Sequence, residues 1–348
     1  MLFSAVVRSL RVVALAAVVT GMGASTPAMA EEVAAAKVNY VALGDSYAAG
    51  HGAGTPQNAC GQTSGGYPAL WAMTAPDAVE LTFAACRGAT ATDVAGQQVA
   101  ALNADTDLVS ITAGGNDLDV FNRFQVCLDP AKAAECVAVQ AALKKDLETK
   151  VPVAIGKLLG SVKAKAPKAK VALTGYPLPF ATGDGCPGFN VPRELRTFAN
   201  ATIAGLNAVL ALQAQAAGVT FVDVVGAFTG HDLCSGAKSW LVGLEGVQRR
   251  TTFHPNVTGQ TDGYLAGLVG KAGTVEQVLT WMTQRDGAGS SPTPSPAAPT
   301  ASPILGEGGG LPVTGVSVAA AIGIGGGLAV LGVVLYMLAR WRRVHTGD

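Results

Sequence analysis

Five short apolar, β-branched runs recur along the chain, at residues 38–43, 79–83, 108–112, 170–174 and 219–224, with longer stretches of helical character between them. Runs that are apolar at nearly every position suit strands buried on both faces. Their alternation with helices implies a parallel sheet covered on each side. The stretch 193–217 shows the covering layer: Leu195, Phe198, Leu206, Val209 and Leu210 recur near a helical period, and Pro192 stands at its start. The pattern predicts an α/β domain, a three-layer α/β/α sandwich around a central five-stranded parallel sheet. Ligands of such sheets bind beyond the carboxyl ends of the strands.

Both ends of the chain break this alternation. Arg8 and Arg11 precede an apolar stretch at 12–19, and Ala28-Met29-Ala30 precedes Glu31-Glu32, which reads as a signal peptide over 1–30 cleaved after Ala30. The apolar stretch is shorter than the ~20 residues a membrane span needs. Residues 316–339 are almost uncharged and long enough to cross a hydrocarbon core of about 30 Å. Arg340, Arg342 and Arg343 follow, so the tail 340–348 is expected in the cytoplasm and everything before the span outside. Residues 286–310, rich in Gly, Ser, Pro and Ala, read as a semi-stiff spacer. Residues 37–285 remain as one domain without internal repeats.

Formal charge is zero over the whole chain, but residues 31–314 carry 19 basic and 23 acidic side chains, a net of −4. That argues against nucleic acid as a partner, which needs clustered Lys and Arg. Six cysteines in a secreted chain read as three disulfides with fifteen possible pairings. No close Cys-x-x-Cys spacing suggests a metal, and no cofactor is expected.

Candidate chemistry gathers at the strand ends. Ser46, Gly88 and Asn116 each lie just past the first, second and third predicted strands. A serine hydroxyl needs a base to become a nucleophile, and the chain has four histidines. His345 lies in the tail, while His51 and His231 read as rim residues. His254 lies on a late loop where Pro255-Asn256-Val257 looks like a helix start that would fix it, and it is the expected base. The N–H groups of Ser46 and Gly88 and the Asn116 amide are the expected oxyanion donors. Gly88, lacking a Cβ, is expected to allow close approach of the chain. Asp45 and Asp117 read as buttresses of turn backbone.

The islands Gly44-Asp45-Ser46, Gly88, Gly114-Gly115-Asn116-Asp117 and Phe253-His254-Pro255-Asn256, in this order, resemble the SGNH or GDSL hydrolases over roughly residues 37–281. The resemblance implies a flavodoxin-like sheet and an acyl-enzyme on Ser46. It also implies disulfides between sequence neighbours: Cys60 with Cys86, Cys127 with Cys136, and Cys186 with Cys234. One position departs from the common pattern. Most members carry Asp three residues before the histidine, where this chain has Thr251. Some secreted actinobacterial members use a main-chain carbonyl instead, so that of Thr251 or Thr252 is expected to orient His254, with Asp232 as a rival. The difference between a charged and a neutral hydrogen bond, on the order of 1 kcal/mol, costs about tenfold in rate or less.

Leu311-Pro312-Val313-Thr314-Gly315 is similar to the signal that sortases cut between Thr and Gly, here Thr314 and Gly315, to join a protein to peptidoglycan in Gram-positive walls. A permanent single-span anchor is the alternative. The expected function is a cell-surface, monomeric hydrolase of carboxylic esters, with lipid or fatty-acyl esters first. A deacetylase of wall or environmental polysaccharide is the second reading. A non-catalytic surface binding protein is the third, motivated by the missing aspartate and the sorting tail.

Overall fold

The computed structural model describes residues 36–183, 185–243 and 251–288. The expected signal peptide, the spacer beyond residue 288, the sorting motif, the span and the tail lie outside the described residues.

Strands β1 (Val38–Gly44), β2 (Val79–Phe83), β3 (Leu108–Thr112), β4 (Lys170–Thr174) and β5 (Thr220–Val222) form one parallel sheet in the order β2-β1-β3-β4-β5. β1 is an interior strand, with Val41 opposite Thr82 on one side and Val109 on the other. β5 is shorter than the apolar run 219–224. It has a partner on one side only, and its ladder ends with the Thr174–Val222 pair.

Side-chain alternation divides the sheet into two faces. Tyr40 and Ala42 of β1 join one core with α1 (Tyr67–Met73), while Val41 and Leu43 join another with α2 (Ala91–Gln97). The short α3 (Val120–Cys127) packs on α4 (Ala133–Lys165). α4 and α5 (Arg193–Ala217) cover the same face as α2 through Ile155, Leu158, Leu206 and Leu210. A stretch of π-helix (Gly259–Leu265), α6 (Ala266–Ala272) and α7 (Val275–Ala288) cover the α1 face through Tyr264, Leu268 and Val278. This is the expected three-layer sandwich.

The strand order positions the site. The chain leaving β1 crosses one face by way of α1, while the chain leaving its neighbour β3 crosses the other by way of α4. A crevice therefore opens between the carboxyl ends of β1 and β3, the topological switch point of this sheet order. The three disulfides, Cys60–Cys86, Cys127–Cys136 and Cys186–Cys234, all join neighbours in sequence.

Candidate active site

The turn after β1 is shaped by its contact with β3. Gly44 has φ 130°, and a Cβ there would lie 2.2 Å from the Thr112 carbonyl oxygen, so only glycine fits. Asp45 then donates its N–H to that carbonyl at 2.8 Å. The buried Asp45 carboxylate accepts the Tyr47 N–H at 2.9 Å and the Tyr176 hydroxyl at 2.6 Å. Burial pushes this carboxyl up to about 7, against the hydrogen bonds from Tyr176, Tyr47 and Ala48 that favour its charge. Asp45 is thus the clamp of the turn, and Ser46 projects beyond it.

His254 Nε2 lies 2.7 Å from Ser46 Oγ. Its Nδ1 lies 3.2 Å from the Thr251 carbonyl oxygen and 3.1 Å from that of Thr252. A carbonyl can only accept, so Nδ1 carries the proton and Nε2 presents its lone pair to the serine. Burial, and after it the neighbouring His51, lower the His254 pKa to about 4 against the opposing pull of the two carbonyls. The ring is therefore neutral, and competent as a base, at neutral pH.

Several bonds tie the histidine loop to the serine turn. Phe253 adopts φ 72°, uncommon for a residue with a side chain. It is held there by the Tyr47 hydroxyl, which donates to the Phe253 carbonyl at 2.8 Å, and by its own N–H to Val242 at 3.0 Å. A helical turn starts at Val257, and the Asn256 side chain caps it by accepting the Gly259 N–H at 3.0 Å. The fully buried Gln260 donates to the Tyr47 carbonyl at 3.0 Å and accepts the Tyr67 N–H at 3.0 Å.

The other polar candidates divide. Asp232 accepts the Ala181 N–H at 2.9 Å and the Cys234 N–H at 2.8 Å, so its carboxylate is engaged away from His254. His231 stacks on Trp240 at 3.9 Å. The sequence predicts a rim position for His51; the structure instead buries it, edge to face with His254 at 5.0 Å. Asp117 accepts the Ala91 N–H at 2.8 Å at the start of α2.

Gly88 and Asn116 face the same cavity as Ser46 and His254. The reason for glycine at 88 differs from the expected one: a Cβ there would meet nothing within 4 Å, and it is the φ of 80° that calls for glycine. Asn116 donates one amide hydrogen to the Ala89 carbonyl at 3.0 Å, which fixes the side chain and leaves its second N–H for a ligand.

The cavity, about 510 Å³, has an apolar wall of Val120, Phe121, Phe124, Phe180, Ile203 and Phe253. Phe253 touches Phe121 and Phe180 at ring separations of 6.0 and 5.9 Å. Sequence reasoning missed this wall, along with Tyr47, Tyr176 and Gln260. Tyr176 follows the end of β4 by two residues, a position that the strand-end rule could have flagged. Gln260 carries no such signal.

Comparison with known proteins identifies the family. A profile of the GDSL-like Lipase/Acylhydrolase family matches residues 42–261. A lipase of Streptomyces rimosus is 36% identical over 249 residues, covering 71% of this chain and 90% of that protein. The crystal structure of an extracellular lipase from Streptomyces rimosus superposes with a TM-score of 0.63 at 35% identity, covering 67% of this chain and 99% of that one. That of phospholipase A1 from Streptomyces albidoflavus NA297 gives a TM-score of 0.63 at 36% identity, covering 68% and 100%.

Proposed function

This chain belongs to the GDSL-like lipase and acylhydrolase family and hydrolyses carboxylic esters, and on that premise we propose that it cleaves fatty-acyl esters at the cell surface through an acyl-enzyme on Ser46. The observation that carries the mechanism is the 2.7 Å contact between Ser46 Oγ and His254 Nε2. As Ser46 attacks the ester carbonyl, His254 takes the hydroxyl proton, and the Thr251 and Thr252 carbonyls hold Nδ1–H and spread the new positive charge. The oxyanion is met by the Ser46 and Gly88 N–H groups and the Asn116 amide, each worth ~3–4 kcal/mol of barrier in comparable sites. His254 then returns the proton to the departing alcohol, and water releases the acyl group by the same steps in reverse.

The aromatic wall supports a fatty-acyl substrate over an acetyl one, because acetate would leave most of 510 Å³ empty. Membership in a family of enzymes sets aside the non-catalytic reading. The surface location rests on the expected signal peptide at 1–30, the motif at 311–315 and the span at 316–339, with sortase joining Thr314 to peptidoglycan.

A fluorophosphonate probe should label the protein at one residue, and Ser46→Ala should abolish labelling. Folded wild-type protein that stays unlabelled would refute the acyl-enzyme. Nitrophenyl esters of increasing chain length should rise in kcat/KM from acetate to medium chains; a maximum at acetate would instead favour a deacetylase.

A further inference from the structure

The cavity is two-sided. One side is the aromatic wall around Phe253; the other is a polar rim that runs from His254 over the buried His51 to Arg87. His51 meets the His254 ring edge to face at 5.0 Å. A Cβ placed on Gly61 would lie 3.4 Å from His51 Nδ1 and 3.0 Å from Arg87 Cδ, so His51 and the Arg87 stem flank a single point. Arg87 lines the cavity next to Gly88. His254 stands where the two sides meet, which is where the scissile bond must sit. The apolar wall takes the acyl chain, so the alcohol half of the ester lies along the rim that ends at Arg87.

Arg87 is held at its base and open at its head. Its N–H donates to the Cys60 carbonyl at 2.9 Å, and the Cys60–Cys86 disulfide closes the loop beside it. Its side chain is exposed, and among the described residues no carboxylate lies within ion-pair distance of the guanidinium and no hydrogen bond engages it. The negative groups of the cavity lie elsewhere: Asp45 is clamped by Tyr47 and Tyr176, and Asp119 accepts from Asn122 at 2.7 Å at the start of α3. A guanidinium on a pinned backbone is suited to paired hydrogen bonds with phosphate or carboxylate oxygens.

We propose that Arg87 is a specificity residue that selects esters whose alcohol moiety carries an anionic group, phosphate or carboxylate. The inference rests on the fatty-acyl hydrolase reading above and adds to it the chemistry of the leaving alcohol.

The test compares kcat/KM for three lauroyl esters presented as monomers: those of glycerol, glycerol 3-phosphate and glyceric acid. Wild-type enzyme should prefer the anionic esters by roughly tenfold at low salt, with the gap closing as salt is raised. Arg87→Gln should bring the ratio of anionic to neutral ester close to one, Arg87→Lys should keep part of it, and Arg87→Glu should invert it. The relative rates on the phosphate and carboxylate esters identify which anion is read. Glycerol 3-phosphate, which has no carboxylic ester to cleave, should inhibit the wild type better than glycerol does and lose that advantage in Arg87→Gln. Hydrolysis of all three esters at equal efficiency by wild type, or a preference that survives Arg87→Gln, overturns the proposal and leaves the hydrolase intact. Failure to hydrolyse any of them removes the fatty-acyl reading, and this inference with it.

Discussion

His254 works without a carboxylate neighbour because its surroundings already favour the neutral ring. A carboxylate on Nδ1 would raise its basicity. Two carbonyls set the same tautomer but leave burial to dominate, so the pKa falls to about 4. A group whose folded pKa is depressed stays in its base form until pH falls through that value. The acid limb of kcat/KM is therefore expected near pH 4, in brief assays that precede any acid unfolding, and His51→Gln should move it upward by removing one of the causes of the shift. An acid limb at the ordinary imidazole value of 6.5 would contradict this account. Asn116 is tested separately: Asn116→Ala should lower kcat by about 10²–10³ with little change in KM, as loss of a donor that acts on the transition state does. At this scale the sequence was legible where chemistry dictates residue type, as at Ser46, Asn116 and His254. It was not legible where contact decides. His51 looks like any loop histidine until folding presses it against His254, and the open space beside Gly88 is visible only in three dimensions.

The elements that carry these residues are joined by side chains that no motif marks. The serine turn belongs to β1 and the histidine loop precedes the π-helix, more than 200 residues away in sequence, and Gln260 bridges them with hydrogen bonds to Tyr47 and Tyr67. Gln260→Leu would keep the volume but leave the Tyr67 N–H without a partner and the Tyr47 carbonyl with only the Gly50 N–H at 3.3 Å, at a cost of about 1–3 kcal/mol. Thermal melting should show a fall of roughly 3–10 °C. A melt within a degree or two of wild type would mean that the two loops are held by other contacts. The strands β1 to β4 and helix α5 could be read from the sequence because apolar period and local propensity agree there. α5, for instance, begins after Pro192 and ends at Gly218, whose φ is 64°. The π-helical stretch could not be read, since an extra residue per turn leaves no periodic mark in seven residues. Nor could the early end of β5, because Val224 is buried like a strand residue while lying beyond the last pair of the ladder.

On the scale of the whole domain, the cleft and the end of α7 lie at opposite ends of the sheet. Ser46, Gly88 and Asn116 follow the carboxyl ends of β1, β2 and β3. The last described helix, α7, ends by the amino ends: Arg285 pairs at 2.9 Å with Asp107, the residue just before β3, and Lys170, which begins β4, stacks over Trp281 at 5.0 Å. The first strand also starts at this edge, where the Asn39 N–H donates to Asp107 at 3.0 Å. An attachment made on α7 therefore holds the edge of the sheet remote from the cleft. Protein immobilised on beads through a cysteine placed at exposed Gln284 of α7 should accordingly keep its kcat/KM on a soluble nitrophenyl ester within about twofold of the free enzyme, since diffusion and not occlusion would be the remaining difference. Coupling through a cysteine placed at exposed Leu128, beyond α3 and on the cleft side, should depress it much further. Equal losses from the two attachments would mean that the edge where Arg285 meets Asp107 is not remote from the catalytic cleft.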